Sequence, residues 1–155
     1  MFGVIVAVYE SEVIVNESPE KVFEFFLNPN NLEEITLPEL QLKVLDAPNE
    51  VQIGTQVDFQ VTRFGLDLKA THEVINIDEY CITERQVTGV LKEFEQERRF
   101  NATDAGGCCI VNTITFEPPG GLVGAMMTEK KIRVSLDEAF EFQDEALQKR
   151  FGSPA

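Results

Sequence analysis

Basic residues are scarce in this chain. Thirteen Lys and Arg stand against 27 Asp and Glu, leaving a formal net charge of −14. That field repels a phosphate backbone, so no nucleic-acid partner is expected, and anionic membrane surfaces are disfavoured for the same reason. Histidine is almost absent. The single one, His72, and the lack of any Cys-x-x-Cys argue against zinc, and no metal or cofactor is expected. The cysteines are Cys81, Cys108 and Cys109. An odd count with an adjacent pair makes a poor disulfide framework, so a reducing, cytoplasmic setting is expected. No apolar run nears the ~18 residues of a membrane span, so no membrane insertion is expected. The apolar opening from Met1 to Tyr9 has no basic residue ahead of it and acidic residues directly after. It reads as a strand rather than a secretory signal. A glycine-rich phosphate loop, a Gly-x-Ser-x-Gly elbow and a His-Glu-x-x-His helix are all missing.

What is present reads as one globular domain over residues 1–155, 43% apolar and 26% charged, with no repeat and no linker. Val4 to Val15 alternates as a strand with Tyr9, Ser11 and Val13 on one face. Ser18 can cap a short helix that starts at Pro19 and carries Val22, Phe23, Phe25 and Phe26. Asn28-Pro29 stops it, and a second short helix follows from Asn30 to Ile35.

Six strands come next, Gln41 to Asp46, Gly54 to Phe64, Leu66 to Val74, Tyr80 to Thr88, Glu93 to Asn101 and Cys108 to Phe116. Alternation points Phe59, Ala70, His72 and Val74 inward, with Ile82 and Glu84 on the following strand. Phe94, Gln96, Arg98 and Phe100 form the inward row after that, and Cys108, Ile110, Asn112, Ile114 and Phe116 the last. The chain closes on a helix from Leu122 to Phe151, whose Leu136, Phe140, Gln143, Leu147 and Phe151 make one stripe. Ser135-Leu-Asp-Glu138 is a capping-box pattern, so the helix can kink or restart there. The segment before it, with Met126 and Met127, is then the expected entrance to any interior space. The expected fold class is α+β. A curved antiparallel sheet of about six or seven strands is covered by the last helix, the one element large enough to do so.

The order of these pieces resembles the SRPBCC superfamily, the helix-grip proteins that include START domains, pollen-allergen-like proteins and polyketide cyclases. Within it the chain is most similar to the cyclase/dehydrase-like ligand-binding group. The likeness is carried by Ser18 to Leu32, by Thr36-Leu-Pro38, by Gly54-Thr and Phe64-Gly65, and by Gly89 followed by Phe94-x-Gln96-x-Arg98-x-Phe100. Gly107…Asn112…Phe116 and Phe140 to Phe151 complete it. The chain departs from that pattern where the family carries a tryptophan (Ala70 here), a Trp/His/His row (Phe94, Gln96, Arg98), an aspartate (Asn112) and an arginine (Gln143). An activity that needed those histidines is absent here. Ala70 in place of an indole would enlarge an interior space on its side.

The resemblance implies a cavity between sheet and last helix that holds a small hydrophobic or aromatic ligand. The expected lining is Tyr9, Phe59, His72, Glu84, Phe94, Gln96, Arg98, Asn112, Leu136 and Phe140. A buried guanidinium needs a carboxylate, a ligand or solvent. Arg98 therefore either pairs with Glu84 or a carboxylate of the last helix, or holds a ligand oxygen, or lies outside through a one-residue slip. The alternative to a binding module is a polyketide cyclase or dehydratase, with His72 as acid or base and Arg98 stabilising an enolate. An interaction role is the third possibility, a homodimer or a protein partner docking on a sheet edge or the helix, hinted at by Val134 and Phe142 off the main stripe.

Overall fold

The computed structural model describes residues 6–154. Val4 and Ile5, expected to open the first strand, lie outside them. In chain order the elements are β1 (Ala7–Val15), α1 (Pro19–Phe26), 3₁₀ turns at Pro29–Ile35 and Pro38–Leu40, β2 (Lys43–Asp46) and β3 (Gln56–Arg63). They continue with β4 (Leu66–Asp78), β5 (Cys81–Thr88), β6 (Glu93–Ala102), β7 (Cys108–Glu117), α2 (Gly121–Met126) and α3 (Glu129–Phe151). All seven strands form one antiparallel sheet in the order β1-β7-β6-β5-β4-β3-β2. β2 to β7 are a meander, and β1 closes on β7. This is the expected α+β arrangement.

Local chemistry explains the element ends. Ser18 Oγ accepts the Lys21 amide at the start of α1, where Pro19 gives up no needed donor. Asn28 Oδ1 accepts the Asn30 amide and starts the next turn. That turn is 3₁₀ rather than the short α-helix expected from Asn30 to Ile35. Phe64 (φ 55°) and Gly65 (φ 72°) both adopt left-handed backbone, which matches the twist of the β3–β4 hairpin.

The closing helix is not one rod from Leu122. It is broken at Met127–Thr128, and Thr128 Oγ1 caps α3 by accepting the Lys131 amide at 3.3 Å. Ser135 sits within the unbroken α3, because its hydroxyl is engaged elsewhere: Arg63 Nε of β3 donates to Ser135 Oγ at 2.9 Å. α3 also covers the free edge of β1. Arg133 Nη1 donates to the Val8 carbonyl at 3.0 Å and Gln148 Nε2 to the Ile14 carbonyl at 3.1 Å. Those oxygens would otherwise offer an open strand edge.

Apolar side chains gather at the two ends of the concave face. Val15, Val22, Phe25, Phe100, Ile110 and Leu147 pack at the α1 end. Ala7, Ile114, Phe116, Met127, Ile132 and Phe140 pack at the other. Among the described residues, no helix is long and apolar enough to cross a membrane.

Candidate functional site

Between those clusters the inward rows turn polar. Strand register sets the pattern: Ile82, Arg98 and Asn112 stand abreast on β5, β6 and β7, and one step along stand Val74, Glu84, Gln96 and Ile114. Asn112 is 1% exposed and its Oδ1 accepts twice, from Arg98 Nε at 3.0 Å and from Gln96 Nε2 at 3.2 Å. One acceptor on β7 thereby orients two side chains of β6. The Arg98 guanidinium also rests over the Phe26 ring, 4.4 Å from its centroid.

Arg98 faces inward, so the strand slip is excluded. Among the described residues no carboxylate lies within 4.0 Å of it, Glu84 and those of α3 included. Glu84 turns to His72 instead, with Oε1 3.6 Å from Nδ1, slightly beyond hydrogen-bond range. His72 is held between two rings, edge-on to Phe59 at 4.5 Å and stacked on Phe94 at 4.9 Å.

Burial works against charge at both ends of this group. It lowers the Arg98 pKa, and the Glu84 charge opposes that shift. Burial pushes the Glu84 carboxyl up, but the His72 contact and the Arg98 charge together outweigh it and leave the carboxyl below its ordinary range. The lowered carboxyl is ionised at neutral pH, and a guanidinium stays protonated in proteins.

These side chains border an interior space of about 240 Å³. Phe59, His72, Glu84, Phe94, Gln96 and Arg98 line it from the sheet, and Leu136 and Phe140 from α3. Two expected residues do not. Asn112 lies behind Arg98 and Gln96 as their acceptor. Tyr9 stacks on Phe140 at 5.7 Å and its hydroxyl donates to Asp137 Oδ1 at 2.8 Å, so its polar end is turned to α3. Burial, that bond and nearby carboxylates raise the Tyr9 pKa.

Sequence reasoning missed the rest of the wall. Phe26, Leu32 and Thr36 reach it from α1 and the turn after it, Val44 from β2, and Ala139 and Gln143 from α3. The surplus of apolar residues on a helix as short as α1 was the available signal. Ala70 pairs with Phe59 and borders a separate depression with Leu45, Lys69 and Thr88. Met127 is buried in the second cluster and is no doorway. A separate, smaller depression lined by Thr36, Leu37, Ala139, Phe140 and Gln143 shares all of these but Leu37 with the wall of the space. Cys108 is sealed in the core, with its thiol pushed up to about 11 by burial and then by Cys109, which makes it a poor nucleophile.

Seven antiparallel strands wrapped on a long C-terminal helix are a helix-grip fold. Among solved structures the chain is similar to Ara h 8.0201, at 17% identity over 94% of this chain and 97% of that one, with a TM-score of 0.65. It is similar to major latex-like protein 151 of Panax ginseng, at 15% identity over 94% and 97%, with a TM-score of 0.69. It is also similar to a START superfamily protein of Mycobacterium smegmatis, at 16% identity over 93% and 96%, with a TM-score of 0.68. At these identities the likeness establishes the fold. The sequence matches no protein-family model and no curated protein.

Proposed function

We propose that this chain is a binding module for a small hydrophobic or aromatic molecule, held between the sheet and α3. The observation that carries the reading is the interior space of about 240 Å³, with mostly apolar walls and a few convergent polar groups. The superfamily resemblance read from the sequence supports the same role. The acidic surface and unpatterned cysteines support a cytoplasmic, single-domain protein.

Naphthalene, followed by its own fluorescence, is a suitable first probe, and solvent extraction of the purified protein with mass spectrometry is the second. Saturable naphthalene binding that Ala139→Phe abolishes is expected, since Ala139 lines the space. Lack of binding together with an empty extract overturns the reading.

A cyclase or dehydratase is the second reading, favoured by one observation: an imidazole beside the Glu84 carboxylate faces the same space as Arg98. Loss of turnover on a cyclisable ketone in His72→Gln, with binding retained, would support it. Val134 is exposed and Phe142 borders a groove beside Glu39 and Arg63. Light scattering decides whether they join two copies.

A further inference from the structure

The two charges lining the space, Arg98 buried and Glu84 partly so, do not meet. Glu84 stands opposite Gln96 and Arg98 opposite Ile82, so the pair is one step out of register on neighbouring strands. Such diagonal neighbours are about 7–8 Å apart at the backbone, within reach of side chains this long. Each is nevertheless held back by a partner of its own, Arg98 by Asn112 and the Phe26 face, Glu84 by His72. Among the described residues, the hydrogen bond of the guanidinium is the one from Nε. Among the described residues its two terminal nitrogens have none, and they are not sealed from solvent or the space they border.

We propose that the interior space takes an uncharged ligand with a hydrogen-bond acceptor and a donor on one small ring system, the acceptor meeting Arg98 and the donor meeting Glu84. The inference rests on the binding reading above and specifies its ligand class. A bridging ligand satisfies both charges without adding one. A carboxylate ligand would leave the lining one negative charge in excess, and an ammonium one positive charge in excess, each in a poorly solvated interior.

Gln143 adds a second independent observation. Its Oε1 is buried and has no hydrogen-bond partner among the described residues, and the side chain is on the wall of the space. It is an acceptor still waiting for a donor. On the surface beside it, Glu39, Glu138, Glu141 and Glu145 edge a groove that shares Leu37 with the small depression at Gln143, with Arg63 engaged by Glu138. An anion approaching that side meets repulsion. Size sets the last limit. A dry cavity of about 150 Å³ accommodates benzene. A space of about 240 Å³ therefore fits one substituted ring or two small fused ones.

The test is a calorimetric titration of the unmodified chain at neutral pH with para-hydroxyacetophenone, para-methoxyacetophenone, para-hydroxybenzoate and tyramine, beside naphthalene. The hydroxyketone is expected to bind about tenfold tighter than each of the other three substituted rings, the scale of one hydrogen bond to a buried charge. Glu84→Gln should remove the advantage of hydroxyl over methoxyl. Tightest binding by hydroxybenzoate or tyramine, or equal binding of the hydroxyl and methoxyl compounds, overturns the inference. The ligand series decides even where Glu84→Gln fails to fold. Naphthalene binding without any preference for the hydroxyketone sinks the inference and leaves the binding reading standing. Failure of all five compounds sinks the inference, and together with an empty solvent extract it sinks the binding reading as well.

Discussion

Phe100 and Arg98 lie two residues apart on β6, on the same face of the same sheet, and are 2% and 8% exposed. Their surroundings differ in kind. Phe100 stands level with Ile110 and Val13 and meets Phe23 and Phe26 edge to face or tilted, a dry and filled region. Arg98 stands level with Ile82 and Asn112 and borders empty space. A single step along the sheet thus separates a packed core from a hollow, and the inward side chains change type on β6 and β7 together. Burial alone does not distinguish the two. What distinguishes them is whether the buried atoms touch other atoms.

Truncation tests that difference most strongly. Phe100→Ala should cost about 3–5 kcal/mol in urea unfolding, the usual range for emptying a filled site. Leu136→Ala already borders a void and should fall near the low end of such changes, at ~2 kcal/mol. Equal costs at the two positions would mean that the hollow is packed as tightly as the core.

The polar rows give a sharper contrast. Asn112→Ala removes the acceptor shared by Arg98 and Gln96 and orphans both donors, so a loss of about 1–3 kcal/mol is expected. Arg98→Met removes a guanidinium that has no carboxylate within contact and leaves Asn112 with Gln96. Its effect on stability should stay within about 1 kcal/mol, because an apolar isostere ends the desolvation of a charge. A loss of several kcal/mol on Arg98→Met would make it a structural ion-pair member rather than a group facing a hollow.

The inward rows were legible in the sequence because a strand has a period of two, and that period is local. His72, Gln96, Arg98 and Asn112 all fall where alternation puts them. What each side chain does after arriving was not legible. Tyr9 is turned aside by Asp137, 128 residues along the chain. Glu84 chooses His72 over Arg98 through side-chain reach that register alone does not set. The helix break shows the same limit. Ser135 carries the better capping-box pattern, yet Thr128 is the cap, because Arg63 on a distant strand occupies the Ser135 hydroxyl. The walls given by Phe26, Leu32 and Thr36 depend on how two short segments cross the mouth of the sheet, which no local pattern encodes.

Two carboxyls of opposite tendency supply the smallest effects. Glu84, in the hollow, is held below its ordinary pKa range. Its contribution to stability is therefore present above the unfolded carboxylate pKa and is lost as the pH falls through the lower folded value. Asp144, on α3, has the reverse sign. Burial raises it from the usual 3.8 to about 6, and its Oδ1 is buried without a hydrogen-bond partner among the described residues. A raised carboxyl contributes stability fully below the unfolded pKa, and that contribution disappears as the pH rises through about 6. Asp144→Asn cannot ionise, so it should be more stable than the parent at about pH 8 and gain nothing by about pH 4. Solvent screening of a half-buried group keeps the gain below about 1 kcal/mol. Glu84→Gln should do the opposite, losing most against the parent at about pH 8 and converging with it in acid. Paired urea titrations of both variants across that range check the signs. Parallel curves for Asp144→Asn would show that Asp144 is as well solvated as an ordinary surface carboxylate, and matching signs for the two variants would remove the electrostatic difference between the hollow and the helix that covers it.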